Sequence, residues 1–178
     1  MIQIIVCCDE QLGIGYKNDL LFKKLVGDMA HFKHQTFDTV CLMGRKTWDS
    51  LPFKLPNRIN AVISRYPSEV ESKIYKDEIQ HPDIFISHRD PIKTLREIYP
   101  DKDISIIGGS SIYNQFMNKI YIQEVWITRV HATCKADCWF PEIDKELFFL
   151  KEQFEHSVDD KNEFPFTIEH WVNKHYYK

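Results

Sequence analysis

DISIIGGSSIYNQF, residues 103–116, opens with an apolar β-branched run, Ile104 to Ile107, short enough for a buried strand. Gly108 and Gly109 follow, then Ser110 and Ser111, then Ile112, Tyr113 and Phe116 at a spacing that shares one helical face. A strand, a glycine turn, a serine cap and a helix bring backbone N–H groups and the positive end of a helix up to a phosphate. A side chain at either glycine would keep an anion from approaching the backbone. A tight turn that binds nothing has the same local signature, so the rest of the chain has to separate the two.

Two further junctions have the same form. Thr39–Met43 is a buried strand running into Gly44, Arg45, Lys46, Thr47 and Trp48, with two cations where a helix start favours anions. Asn60–Ser64 is a strand ending in Ser64 and Arg65. In an open α/β sheet ligands bind at the carboxyl ends of the strands, and here three such ends carry phosphate-compatible groups.

The first strand is Ile2–Asp9. Glu10–Lys24, with Gly13, Gly15, Asn18 and Asp19, reads as a loop longer than most connections, expected to lie over a site. Leu25–Thr36 regains helical spacing, with Leu25, Met29 and Phe32 on one face. Asp28 shares that face, where a carboxylate is costly unless partnered; alternatively it simply favours the helix dipole from solvent.

Pro52, Pro56 and Asn57 mark turns, and residues 66–83 read as polar surface. Ile84–Ser87 is a short strand, and Asp90-Pro91 starts a helix that reaches Tyr99. Val125–Val130 is a strand carrying Thr128 and Arg129. Phe154, His156 and Val158, a polar turn at Asp159–Asn162, and the alternating Phe164–Val172 predict an antiparallel hairpin at the sheet edge.

The 178 residues fit one domain, expected over residues 1–178, and 43% hydrophobic residues supply an ordinary core. A net charge of -3 gives no general attraction to nucleic acid or acidic membranes. No apolar run reaches bilayer-spanning length, and the N-terminus enters a strand, so a cytoplasmic protein is expected. Five cysteines, two of them adjacent, fit reduced thiols. His131, Cys134 and Cys138 lack the partner pair that a zinc site needs, and no metal is expected.

IGIGYKND, DMAHFK, MGRKTWDSLP, LPNRINAVISR, IGGSSIY and VWITRV, in that order and spacing, resemble the dihydrofolate reductase family over nearly the whole chain. The resemblance implies an α/β fold: a mixed, mainly parallel eight-stranded sheet with four flanking helices and a C-terminal antiparallel hairpin. It implies NADPH-dependent reduction of 7,8-dihydrofolate, and a monomer that also takes antifolate-type ligands but neither nucleic acid nor membrane.

Residue by residue, the resemblance gives Asp28 the pterin's 2-amino and N3 edge, with Thr128 in the same hydrogen-bond network. Met29, Phe32, Leu51 and Leu55 would line the walls, and Arg58 would grip the glutamate tail's α-carboxylate. Ile5 and Ile107 would offer carbonyls at the pocket floor, with Val6 and Cys7 close by, Cys7 counted on the cofactor side.

Gly108, Gly109, Ser110, Ser111, Ile112 and Tyr113 would cradle the pyrophosphate and meet the nicotinamide, Tyr113 also touching substrate; a cis peptide joins the two glycines in the family. Arg45, Ser64 and Arg65 would hold the 2′-phosphate, and Gly44, Lys46 and Thr47 would add contacts. The 10–24 loop would be a mobile lid, touching cofactor through Ile14, Gly15 and Asn18.

Three departures stand out. Leu21-Phe22 replaces the usual Pro-Trp, so Phe22 fills the catalytic wall without an N–H to fix a water. Asn57 replaces a turn glycine, and Ser111 stands where some relatives carry arginine. A same-fold reductase of a riboflavin precursor and a non-catalytic nucleotide-binding module are the alternatives. The first would have no substrate amidine edge or glutamate carboxylate for Asp28 and Arg58; the second would have no use for Asp28.

Overall fold

The computed structural model describes residues 1–65 and 81–177. Most of the segment read as polar surface, 66–80, lies outside the described residues.

The main sheet has eight strands in the order β10-β11-β8-β1-β7-β4-β5-β6. They are β1 (Ile2–Cys8), β4 (Val40–Gly44), β5 (Ile59–Ser64), β6 (Ile84–Ser87), β7 (Ile104–Gly108), β8 (Glu124–Val130), β10 (Phe148–His156) and β11 (Phe166–Asn173). From β6 to β8 every neighbouring pair is parallel. Only β11 against β8, and β10 against β11, are antiparallel. The tail hairpin predicted from alternation therefore closes one edge, with Phe154 opposite Ile168 and His156 opposite Phe166. Its outer strand is mostly exposed; Phe154 and Val158 face solvent at 47% and 57% exposure.

Strand periodicity sorts side chains into two layers. On one face Ile2, Ile4, Val6, Cys8, Val40, Leu42, Ile104 and Ile106 form the main core. Helices α3 (Pro91–Ile98) and α4 (Ser110–Phe116) cover it through Ile92, Leu95, Ile112, Tyr113 and Phe116. On the other face Cys41, Met43 and Val62 pack with Trp48 of α2 (Arg45–Ser50), and Ile5, Trp126 and Phe166 pack with Leu25. Phe32 of α1 (Val26–Thr36) touches both of these smaller clusters and joins them.

Helix α3 starts as its sequence predicts: Asp90 accepts from the Lys93 N–H at 3.3 Å, with Pro91 in the first turn. Helix α1 is started differently. Leu25 makes no side-chain cap, and the Gly27 N–H donates instead to Asn162 Oδ1 at 2.9 Å, from the turn between β10 and β11. Gly27 also lets α1 lie close on β11, since a Cβ there would sit 2.8 Å from Phe166 Cζ.

The 10–24 stretch is not the plain loop that its composition suggests. It contains β2 (Gly13–Tyr16) and β3 (Asp19–Leu20), which join β9 (Cys138–Trp139) in a second, three-stranded sheet. Lys17 and Asn18, both at positive φ (52° and 62°), make the two-residue turn between β2 and β3. Such short strands carry little periodicity of their own and depend on pairing with β9, more than a hundred residues downstream.

Candidate active site

Because β1, β7, β4, β5 and β8 run parallel, their carboxyl ends share one edge of the sheet. Gly108-Gly109, Gly44-Arg45 and Ser64-Arg65 end three adjacent strands, β7, β4 and β5. The convergence expected from sequence is therefore a neighbourhood in space. A Cβ on Gly44 would come 3.1 Å from Ile112 Cγ1, and one on Gly109 would come 3.2 Å from Thr47 Oγ1. Gly108 has φ +113°, and a Cβ there would meet the Tyr113 ring at 3.0 Å. The peptide between Gly108 and Gly109 is cis.

The serines behave differently from the expected cap. Gly109 is the N-cap of α4, without a side-chain cap bond, and the helix begins at Ser110. The Ser110 hydroxyl donates to the Trp139 carbonyl at 2.7 Å, which ties the turn to β9. Glycine at the N-cap leaves the first N–H groups uncovered by any side chain of the cap residue. Ser111, Arg45, Lys46 and Arg65 are exposed, Ser64 is buried, and Arg45 Nε lies 3.8 Å from Asp49 Oδ2.

On the same edge, α1 carries Asp28 to the face of β1 and β8 that holds Ile5 and Cys7. The carboxylate is half-buried, in the electrostatic reach of the Thr128 hydroxyl and the Cys7 thiol. Burial pushes its pKa up and those two groups pull it back, with a net rise. Simple solvation of Asp28 at the helix dipole is thus excluded.

Four of the residues expected to line the walls fall in or beside two apolar clusters. Phe32, Leu51, Leu55 and Ile107 fall in one cluster, and Phe32, Phe22, Ile5 and Cys7 in the adjoining one. Phe22 meets Phe164 edge-on at 5.5 Å. Ile107 sits at the register shift between β7 and β4, which frees its backbone from regular pairing.

Tyr113 bridges the two sides: its ring abuts Gly108, and its hydroxyl donates to the Ile5 carbonyl at 2.8 Å. That bond uses one lone pair of the Ile5 carbonyl and leaves the other. Burial raises the Tyr113 pKa, and the charges of Cys7, Cys8 and Asp28 add to the rise.

Arg58 is aimed by two bonds, Nε to the Pro56 carbonyl at 2.7 Å and Nη1 to Thr36 Oγ1 at 3.0 Å. Asn57 before it takes φ +58°, as its turn requires.

Three of the expected site residues are placed differently by the structure. Val6 faces the opposite layer, in the main core, because strand alternation turns it away from Ile5 and Cys7, so only its backbone can reach the cleft. Cys7, expected on the cofactor side, lies against Asp28. Met29 belongs to neither cluster and is 45% exposed.

Ile14 packs against the main core. The Gly15 carbonyl accepts from the Asp137 N–H at 3.0 Å, and Asn18 is exposed.

Asp9 escaped notice in the sequence. It is 1% exposed and accepts from the N–H groups of Gln11 (2.9 Å), Gly13 (2.7 Å) and Cys134 (2.9 Å). With the Lys17 N–H donating to Asp137 Oδ2 at 2.8 Å, this anchors the start and the middle of the 10–24 segment. An acid directly after an apolar strand and before Gly-x-Gly was the available signal.

The family model for dihydrofolate reductase matches residues 1–173. The chain is 33% identical to the dihydrofolate reductase of Neisseria gonorrhoeae over 177 residues, covering 97% of this chain and 98% of that one. It is 31% identical to that of Buchnera aphidicola subsp. Baizongia pistaciae over 173 residues, 94% of each chain. In structure it resembles the Enterococcus faecalis dihydrofolate reductase complexed with NADP(H) and RAB-propyl, with a TM-score of 0.80 at 23% identity over 98% of this chain and 96% of that one. The strand-end glycines, the half-buried helix carboxylate and these matches place the chain among the pterin-type reductases of α/β fold. It belongs to the dihydrofolate reductase family.

Proposed function

We propose that the protein reduces 7,8-dihydrofolate to 5,6,7,8-tetrahydrofolate by hydride transfer from NADPH, serving one-carbon metabolism and thymidylate synthesis. One observation carries the assignment of roles: a half-buried helix carboxylate on the same strand edge as a glycine turn and a row of cations.

The glycines at 44, 108 and 109 fit the dinucleotide: a Cβ at each would press on Ile112, Tyr113 or Thr47, so the strand ends keep bare backbone there. Gly108 to Tyr113 with Thr47 and Lys46 would hold the pyrophosphate; Arg45, Ser64 and Arg65 would hold the 2′-phosphate. The 10–24 segment, through Ile14, Gly15 and Asn18, covers the nicotinamide. When bound, NADPH supplies the hydride that C6 of the substrate receives.

Asp28 accepts from the pterin's 2-amino group and N3 and so fixes the ring. A neutral imine accepts hydride poorly, and a negative carboxylate nearby favours protonation at N5, with water delivering the proton. Thr128 holds the carboxylate, Phe22, Phe32, Leu51 and Leu55 exclude solvent around the ring, and Arg58 takes the glutamate α-carboxylate. The carbonyls of Ile5 and Ile107 complete the floor. Antifolate-type ligands, which offer donors to the same carboxylate, occupy the same cleft.

A monomer, with residues 1–178 acting as one domain, completes the reading. Five free cysteines support a reducing, cytoplasmic setting.

The test is NADPH oxidation followed by absorbance, with and without dihydrofolate, in wild type and Asp28→Asn. Dihydrofolate-dependent oxidation that the substitution abolishes at neutral pH is the expected result. Oxidation indifferent to dihydrofolate would sink the reading.

A further inference from the structure

Asn60, the second residue of β5, is fully buried, and its side-chain amide is engaged by the turn that precedes the strand. Its Oδ1 accepts from the Leu55 N–H at 3.1 Å, and its Nδ2 donates to the Leu55 carbonyl at 3.0 Å and to the Arg58 carbonyl at 3.1 Å. Nδ2 also lies 3.3 Å from Asp83 Oδ2, which accepts the Asn60 backbone N–H at 2.7 Å. The amide pairs with Leu55 as a neighbouring strand would, through one donor and one acceptor, although residues 51–58 form no strand. A buried amide is costly unless its groups are paired, and here both ends are.

The turn so held carries two residues with a place in the cleft. Leu55 is buried in the same cluster as Phe32 and Leu51, and Arg58 is half-buried. Arg58 Nε is engaged by the Pro56 carbonyl, and one Nη1 N–H by Thr36 Oγ1. Of the guanidinium's donors this leaves one on Nη1 and both on Nη2. Pairing two of them with one carboxylate is a matter of geometry as much as of charge, so the backbone under Arg58 has to be held still. Asn60 grips that backbone at the Arg58 carbonyl.

We propose that Asn60 is a positioning residue for the substrate's acidic end: its amide clamps the Leu55–Arg58 turn so that the remaining donors of Arg58 meet the glutamate α-carboxylate while Leu55 stays in the wall. This rests on the functional reading above, in which Arg58 takes that carboxylate, and adds the residue that aims it. Being fully buried, Asn60 reaches neither substrate nor cofactor, so its effect falls on binding of the tail and not on hydride transfer. The turn has other moorings: the Asp38 N–H donates to the Asn57 carbonyl and the Ile59 N–H to the Thr39 carbonyl, both at 3.0 Å. Removing the amide therefore loosens the aim of Arg58 and leaves the segment attached.

The test compares dihydrofolate with dihydropteroate, which has the same ring system and aminobenzoyl group and no glutamate. In Asn60→Ala the KM for dihydrofolate rises roughly tenfold while kcat stays within about twofold, the split expected when only uniform binding is lost. The KM for dihydropteroate stays close to wild type. In Arg58→Ala the KM for dihydrofolate rises at least as far, and adding Asn60→Ala raises it no further.

A dihydrofolate KM unchanged in Asn60→Ala, or a KM raised equally for both substrates, would overturn the proposal, the latter pointing to the wall or the fold rather than the tail. If Arg58→Ala leaves the dihydrofolate KM unchanged, the tail grip itself is refuted and the proposal goes with it, so the two failures are distinct. A second readout keeps Asn60 in place and serves even where Asn60→Ala does not fold. The ¹⁵N signal of the Asn60 side-chain amide in wild type shifts more on saturation with folate than with pteroate, because only folate loads Arg58. Equal shifts, or none, refute the role given to Asn60.

Discussion

On the α1 side of the cleft a single half-buried carboxylate, Asp28, has its pKa raised by burial and drawn back by the Thr128 and Cys7 side chains of neighbouring strands. At the ends of β7, β4 and β5 the site is made instead from backbone shape, with cations left in solvent. Charge is concentrated on one side and spread on the other. A buried charge interacts strongly because water is excluded, whereas exposed cations are screened and share the load. Single substitutions should therefore be severe at Asp28, severe at the tightest glycine, and mild at any one cation.

The largest effect is expected from Asp28→Asn, which should lower the dihydrofolate turnover rate at neutral pH by about 10²- to 10⁴-fold. The loss should shrink in acid, where the substrate is already protonated; a loss independent of pH would count against the role given to Asp28. The same variant should be more stable than wild type at neutral pH. The folded Asp28 pKa is raised, so the cost of its charge is absent below the ordinary carboxylate value and complete above the folded pKa. Thermal melts of both proteins across that range check the sign.

Gly108→Ala tests the other side. With φ +113° and 3.0 Å to the Tyr113 ring, a Cβ adds backbone strain of about 1–3 kcal/mol and pushes on Tyr113. NADPH binding by calorimetry should fall below detection or drop steeply; near-normal affinity would mean the turn is not the cradle. Arg45→Gln should weaken NADPH about tenfold at low salt, leave NADH unchanged, and lose most of its effect at high salt. An equal loss for both dinucleotides would remove the 2′-phosphate from Arg45.

Asn162→Ala should cost about 1 kcal/mol in denaturant unfolding, the scale of a lost helix cap, because the Gly27 N–H loses its acceptor.

At neutral pH the smallest effect is expected at His31, whose pKa is lowered from 6.5 to about 4, chiefly by burial and then by His34, His156 and His170. A depressed histidine is neutral in the folded state, so wild type loses stability as pH falls from 6.5 toward 4. His31→Gln should flatten that limb of the stability profile, and an unchanged limb would show that His31 is not its source.

How far the chain could be read in advance varies with the range of the forces involved. The buried strands and the Asp90-Pro91 helix start were legible because side-chain alternation and capping act over a few residues. The wall residues and Arg58 came through resemblance rather than through pattern. The small second sheet was missed because β2 and β3 are too short to show a period. The serine cap was misread because Gly109 can cap α4 without a side chain.

The sequence by itself determined the strands, the glycines that end them and the acid on an apolar helix face, since each is a local property of residue type and spacing. Only the tertiary structure decided that Cys7 and Thr128 stand side by side on neighbouring strands, that Asn162 starts the helix carrying Asp28, and that Asp9 ties down the start of the 10–24 segment. Those contacts join residues scores of positions apart, and their partners are chosen by strand register and packing, which no local pattern encodes.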